Sequence, residues 1–225
     1  MNKSLRILGM ADLHDRAEML SCVNDIQADL IAFCGDLHNG SSAAEARPVA
    51  KALAGLDLPV LIVPGNMDHR NVVPEIWKSF GFRMMHCASF QFGKYGFLGM
   101  GGMTVKSPQK LADSARYYHE DGDVYRTLTK ICKEISGSEF QIVMVHQPPR
   151  NSRDKIYSGE HTGCISLHRF IEEFQPDLAL CGHIHEDWGE DHIGRTIVVN
   201  VGEMRRGYAA LIELNDEIKV QWMEP

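Results

Sequence analysis

The sequence predicts an α/β fold built on parallel strands, and three observations carry that prediction. Short runs of β-branched and large apolar residues recur at strand length, apolar at nearly every position, as strands covered on both faces must be. Segments with helical spacing lie between the runs. Residues able to bind metal, rather than turn formers alone, come after run upon run.

Taken in order, LRILGM (5–10) is the first strand, and Ala17 to Ala28 places Met19, Leu20, Val23 and Ile26 on one helical side. DLIAFC (29–34) is the second strand. Ser42 to Gly55 is an Ala-rich helix closing at glycine, and VLIV (60–63) is the third strand. Strand–helix alternation of this kind implies parallel strands joined by crossovers. Phe82 to Met100 reads as strands about a polar turn at Gly93, and residues 104–137 as helix with loops. QIVMV (141–145), LALC (178–181) and TIVVNV (196–201) are further strands. Ser166 to Gln175, with Leu167, Phe170, Ile171 and Phe174 before Pro176, is a helix. Tyr208 to Met223 reads as a closing hairpin that turns near Asn215. No repeat, low-complexity tract or linker divides the chain, so residues 1–225 are expected to form one domain.

Composition narrows the function. A net charge of −7 disfavours a nucleic-acid polymer as partner, because phosphate-backbone binding needs a basic stripe. A small anionic substrate stays open, since a metal can supply positive charge locally. The six cysteines are scattered without a CxxC pair, which suits a reducing compartment. The apolar stretch before Asp12 is too short for a signal peptide or a membrane span. The expectation is a cytoplasmic protein with no membrane partner and no indicated oligomer.

The informative residues are those at the carboxyl end of each strand. Asp12-Leu13-His14 succeeds the first, Gly35-Asp36 the second, Asn66 and Asp68 the third, His146 succeeds QIVMV, and Gly182-His183-Ile184-His185 succeeds LALC. In an open α/β sheet the carboxyl ends of strands gather along one edge, where ligand crevices form. Taken singly, each fragment reads as a turn, a helix cap or a histidine bonded to backbone. Together, in this order, they read as one cluster of carboxylates, imidazoles and an amide that holds metal.

This ordered set resembles the calcineurin-like metallophosphoesterase family, over residues 12–185, and HQPPRNSRD, EHTGC, CGHIHEDWGE and GRTIVVNVGE resemble its small stand-alone members. The resemblance implies a four-layer αββα sandwich of two mixed β-sheets flanked by helices. It implies one metal held by Asp12, His14, Asp36 and His185, and a second held by Asp36, Asn66, His146 and His183, with Asp36 bridging and acting in catalysis. Carboxylate, imidazole and amide oxygen suit first-row divalent ions: Mn²⁺ first, with Fe²⁺, Ni²⁺ or Zn²⁺ open. Two such ions hold the attacking and departing oxygens of an in-line displacement, and a metal lowers the pKa of bound water toward about 7, so hydroxide is available. A neutral ligand, Asn66, leaves the site positive toward a phosphate ester, and Asn66 is also expected to meet the substrate.

Where many family members have GNHD or GNHE, this chain has Gly65-Asn66-Met67-Asp68, and methionine cannot protonate a leaving oxygen. General-acid help is worth about 10²–10⁴-fold, so its loss hurts most where the leaving alkoxide is basic. Family members without this histidine tend toward diesters. The expected activity is therefore hydrolysis of a small phosphodiester or nucleotide; the alternative is a scaffold that keeps the fold without catalysis. His161, His38 and His69 are candidate replacement acids. His161 ranks first, because it precedes a helix whose amino end would greet an anion. Arg150 is a candidate phosphate contact. The 99–103 stretch GMGGM reads as a flexible loop beside the pocket, and RYYHEDGD (116–123) either as a lid offering Tyr117 or Tyr118 to a base or as a solvated helix face.

Overall fold

The computed structural model describes residues 4–215 and 217–225. In chain order the first elements are β1 (Leu5–Met10), β2 (Leu30–Cys34), α1 (Ala43–Ala54), β3 (Val60–Val63), α2 (Val73–Ser79) and β4 (Arg83–Met84). Next come β5 (Ala88–Phe92), β6 (Tyr95–Met100), β7 (Met103–Thr104), α3 (Pro108–Leu111), β8 (Tyr118–His119), α4 (Asp121–Cys132) and β9 (Phe140–Val145). The chain ends with α5 (Ile165–Phe174), β10 (Leu178–Cys181), β11 (Gly189–Ile193), β12 (Thr196–Asn200), β13 (Ala209–Leu214) and β14 (Ile218–Met223).

The strands form two six-stranded mixed sheets, ordered β14-β13-β1-β2-β3-β4 and β11-β12-β10-β9-β6-β5. Strands β1 to β4 run parallel, as do β6, β9, β10 and β12. Antiparallel strands occupy the margins, with β13 and β14 on the first sheet and β11 and β5 on the second.

Period-two alternation sorts the apolar side chains into layers. Leu5, Ile7, Ala32 and Leu61 of the first sheet meet Phe97, Ile142, Met144 and Leu180 of the second in a core between the sheets. The opposite faces are covered by helices: Leu8, Phe33 and Ile62 pack under Val49, Leu53, Ile76 and Trp77, while Leu98, Val143 and Val198 pack under Leu128, Leu167 and Phe170. This is the αββα sandwich. Burying both faces explains why these strands are apolar at almost every position. Among the described residues no helix is long and apolar enough to cross a membrane, and all six cysteines are free.

Three segments depart from the sequence reading. Ala17–Val23 is a 3₁₀ helix, and the chain turns at Asn24 instead of staying helical to Ala28; Arg16 at its start gives no side-chain cap. The helices of the 104–137 stretch are confined to α3, α4 and a short 3₁₀ turn, because β7 and β8 pair and fold the intervening chain into a flap. The polar run Gly189–Ile193 is a strand at a sheet margin, where alternating exposure needs little apolar content. Elsewhere α1 begins as predicted, at Ser42, whose hydroxyl and Glu45 form a reciprocal capping box.

Candidate metal centre

The carboxyl ends of β1, β2, β3, β9 and β10 converge on one rim, and the expected ligands of the first half-site come together there. His185 Nε2 lies 3.2 Å and His14 Nε2 3.6 Å from Asp12 Oδ1. Asp36 Oδ2 is 3.5 Å from His146 Nε2 and 3.9 Å from His14 Nε2, so Asp36 sits between the two halves. Asn66 Oδ1 is 3.0 Å from His146 Nε2, and the His183 ring centroid is 4.8 Å from that of His146. Asp12, His14 and His185 form one group able to hold a cation, and Asp12, Asp36 and His146 another.

Backbone strain places these side chains. Asp12, His14, Asp36 and His183 all adopt positive φ, from 48° to 69°. A non-glycine residue held there costs about 1–3 kcal/mol, and such residues concentrate at functional sites. Two glycines make the close approach possible. A Cβ on Gly65 would fall 1.9 Å from Asp36 Oδ1, and one on Gly101 would fall 2.1 Å from the Pro64 carbonyl. Residues 99–103, read from the sequence as a flexible loop, are thus the end of β6, the start of β7 and a two-glycine link packed against the chain leading to Asn66.

The electrostatics are those of an anionic cage. Burial would raise the Asp12 carboxyl, yet His14 and His185 hold it well below the usual carboxylate range. Asp36 is likewise lowered: burial opposes its ionisation but His146 outweighs it. Burial pushes the His146 imidazole down, but Asp36 and Asp12 raise it to about 9. His183, under burial and beside His146, falls to about 4. Asp12 Oδ1 is buried without a hydrogen-bond partner. Its nearest neighbours are the His14 and His185 nitrogens, which approach it without a well-formed hydrogen bond, and a cation held by all three would satisfy it. The donors are oxygen and imidazole nitrogen with no thiolate, so they fit divalent first-row ions.

Met67 contributes through its main chain: its N–H donates to Asp36 Oδ1 at 2.7 Å, and its carbonyl accepts from Arg116. Asp68, grouped in the sequence with residues able to bind metal, spends its carboxylate on the backbone. Its Oδ2 accepts from Gly65 N at 2.8 Å and Asp36 N at 3.0 Å, and its Oδ1 lies 3.0 Å from His38 Nδ1.

The candidate acids separate clearly. His38 is wholly buried against Asp68, so it is neither an exposed loop imidazole nor open to substrate. His69 Nδ1 accepts from Asn71 N at 3.3 Å within a local turn. His161 is one-third exposed, and its Nδ1 is held by the fully buried Asp154. The α5 amino end does not greet an anion, however, because Asp121 already occupies it, accepting from Ile165 N at 3.0 Å and Ser166 N at 3.1 Å. Arg150 donates through Nε and Nη1 to the carbonyls of Gly163 and His161, at 3.0 and 2.9 Å. It thereby shapes the loop that carries His161. Tyr117 is 2% exposed beneath Arg70 and cannot serve as a lid; Tyr118 lies half-buried in β8.

Three supporting residues escaped the sequence reading. Glu203, 3% exposed, places Oε2 3.2 Å from His185 Nδ1. Asn39 Oδ1 accepts from His14 Nδ1 at 2.8 Å. Asn200 donates to the Ile184 carbonyl at 2.8 Å and so fixes the loop bearing His183 and His185. A signal for Glu203 was present, since Gly202-Glu203 comes after β12 as the other polar pairs come after their strands.

An αββα sandwich with a carboxylate–imidazole rim at its strand ends defines a metallophosphoesterase architecture, and sequence comparison agrees. The calcineurin-like phosphoesterase family model matches residues 5–187, and the chain belongs to that family. It is 31% identical over 209 residues to the uncharacterized protein MJ1162 of Methanocaldococcus jannaschii, covering 89% of each chain. Among solved structures it is similar to TT1561 of Thermus thermophilus, with a TM-score of 0.77 and 19% identity over 97% of this chain and 99% of that one. A dimetal phosphatase from Danio rerio shares the fold at a TM-score of 0.66 and 11% identity, over 98% and 96% of the two chains.

Proposed function

We propose that this chain is a dinuclear metal-dependent phosphodiesterase acting on a small phosphodiester or nucleotide in the cytoplasm. The observation that carries the metal reading is the convergence on Asp12 Oδ1, buried and without a well-formed hydrogen bond, of the His14 and His185 nitrogens 3.6 and 3.2 Å away. Asp12, His14, Asp36 and His185 would hold one ion, and Asp36, Asn66, His146 and His183 the other, Mn²⁺ being the first choice of metal. When bound, such a pair supplies the positive field and the activated water that phosphate-ester hydrolysis requires. The two-metal reading is also that of the similar Danio rerio dimetal phosphatase.

The chain's own residues supply the rest. The Met67 N–H fixes the Asp36 carboxylate, and Asp68, accepting from the Gly65 and Asp36 N–H groups, fixes its loop, so the carboxylate is already in place for the ions it would hold. His161, oriented by Asp154, is the candidate acid under the alternative that another histidine replaces the one lost at Met67, in which case Met67→His would change little. Preference for diesters rests on Met67, which has no proton to give where relatives carry histidine.

The test is a Mn²⁺-reconstituted comparison of aryl diesters with alkyl phosphomonoesters, using Asp36→Ala as the blank. Diester hydrolysis should exceed alkyl monoester hydrolysis, and Met67→His should raise the monoester rate by about 10²-fold. Faster cleavage of alkyl monoesters by the unaltered protein would sink the diester assignment. Stoichiometric metal without turnover on any ester would favour the scaffold instead.

A further inference from the structure

We infer that Arg116 is a substrate-contacting residue, holding an anionic phosphate oxygen at the Asn66 end of the rim. This inference rests on the phosphodiesterase reading and adds a residue to its substrate site. The stretch RYYHEDGD (116–123) stood out in the sequence for its tyrosines, yet the structure brings its arginine to the metal loop. The Arg116 guanidinium donates to the Met67 carbonyl. Met67 follows the proposed ligand Asn66, and its N–H donates to the proposed bridging residue Asp36 at 2.7 Å. The guanidinium therefore lies against the peptide segment that carries the second half-site.

The charge of Arg116 is unanswered. The residue is half-buried, and among the described residues no carboxylate pairs with it. Other arginines near the site are spent. Arg205 brings Nη2 to 3.5 Å from His185 Nδ1, but its Nε lies 2.5 Å from the buried Glu203 carboxylate. Arg70 stands over the Tyr117 ring, 4.8 Å from the centroid, and Arg150 donates to the carbonyls of Gly163 and His161. Arg116 has a single neutral carbonyl for a group with several donors. A guanidinium cannot shed its proton, so burial is not relieved by neutralisation. Its planar fork matches the oxygens of a phosphate, and an anion completes it.

The flap holds this arginine in advance. Arg70 N donates to the Ala115 carbonyl at 2.8 Å, and Met103 N to the Tyr117 carbonyl at 3.0 Å. Both neighbours of Arg116 are thereby anchored, and Tyr117 is core. Gly102 N donates to the Pro64 carbonyl at 2.7 Å, which fastens the flap to the strand end that leads into Asn66. An anion meeting Arg116 there has no segment to order, which keeps the cost of binding low. With ions on the rim and a guanidinium beside Asn66, positive charge faces a phosphate from two sides.

The test titrates inorganic phosphate calorimetrically into the Mn²⁺-loaded protein, with bound metal counted in each variant by elemental analysis. Arg116→Gln should keep its metal and weaken phosphate binding by about 10–100-fold, the worth of a charge-assisted hydrogen bond. Arg116→Lys keeps the charge without the fork and should fall between Arg116→Gln and the unaltered protein. Arg70→Gln removes a cation from the same region that does not touch Met67, and should leave phosphate affinity unchanged. With methyl p-nitrophenyl phosphate, Arg116→Gln should raise KM by about the same factor and leave kcat near its original value, because the contact is made before and during reaction. Unaltered phosphate affinity in Arg116→Gln, an equal loss in Arg70→Gln, or Arg116→Lys binding no better than Arg116→Gln each overturns the inference. Loss of metal from Arg116→Gln also overturns it, making the arginine a strap on the Met67 loop. If phosphate affinity falls as expected but the unaltered protein cleaves no ester, the contact stands and the phosphodiesterase reading falls. If affinity and diester turnover both survive in Arg116→Gln, the contact falls and that reading stands.

Discussion

Two histidine-bearing regions of this molecule end on opposite sides of the ordinary imidazole range although burial acts on both alike. At the metal rim, burial pushes the His146 imidazole down, yet Asp36 and Asp12 raise it to about 9. At the flap, His86 stacks on His119 at 5.6 Å and packs against Tyr117, and burial, His119 and Arg70 push it down to about 3. His86 Nδ1 accepts from Gly101 N at 3.2 Å, while His119 Nε2 bonds the Gly101 carbonyl at 3.0 Å. Desolvation acts alike on both, and the neighbouring charges decide the sign. The rim is a cage of carboxylates that calls for cations, whereas the flap is a neutral clamp that holds a glycine in place.

The most damaging way to break this contrast is to remove the central charge of the rim. Asp36→Asn keeps the side chain's size and an acceptor for the Met67 N–H but abolishes the anion. Metal content, read by elemental analysis, should fall below one ion per chain, and turnover should drop by about 10³-fold or more. In the same variant the metal-free His146 pKa, tracked by NMR, should move downward, toward the behaviour of His86. An unchanged His146 titration would show that Asp36 does not set it.

A smaller effect should come from the residues behind the ligands. Glu203 is buried and also accepts from Arg205 and Arg206; of its partners, His185 is the proposed ligand. Residues in that position usually matter about 10–100-fold for metal affinity. Glu203→Gln should therefore weaken one metal of the pair by about that factor and leave the other, since His146 is oriented by the Cys34 carbonyl, 2.8 Å from Nδ1, rather than by a side chain. Calorimetric titration with Mn²⁺ should resolve two affinities where the unaltered protein shows them closer together. Equal loss at both sites would refute the division into halves.

The rim was legible in the sequence and the flap was not, for a physical reason. Strands buried on both faces announce themselves by apolar runs, and polar residues at their ends stand out against that background. Asp12, His14, Asp36, Asn66, His146, His183 and His185 were singled out in this way, and the structure places them along one rim. The flap consists of two-residue strands and a four-residue helix, too short for any period to register. Its order comes from contacts distant in sequence, such as Arg116 to the Met67 carbonyl and Asp121 to the start of α5. Those contacts also explain why Tyr117, read either as a lid or as part of a solvated helix face, is instead core. The 3₁₀ segment Ala17–Val23 failed differently, because apolar spacing alone cannot separate a helix from a turn-rich segment packed on the same face.

The gentlest probe of the contrast is pH. His86 is held below its ordinary value, so between about pH 6.5 and pH 3 the unfolded chain binds a proton that the folded chain does not. Stability from this group is then full above pH 6.5 and is lost as pH falls. His146 has the opposite sign: in the metal-free protein its contribution is full below pH 6.5 and is lost as pH rises through about 9. Urea melts of the metal-free protein should therefore show an acid limb that His86→Gln reduces, by about 1–2 kcal/mol between pH 7 and pH 5. The same substitution should leave the alkaline limb unaltered, because His86 has no part in it. If the acid limb persists in full in His86→Gln, the clamp's imidazole is not its source, and the opposition between the two regions does not reach stability.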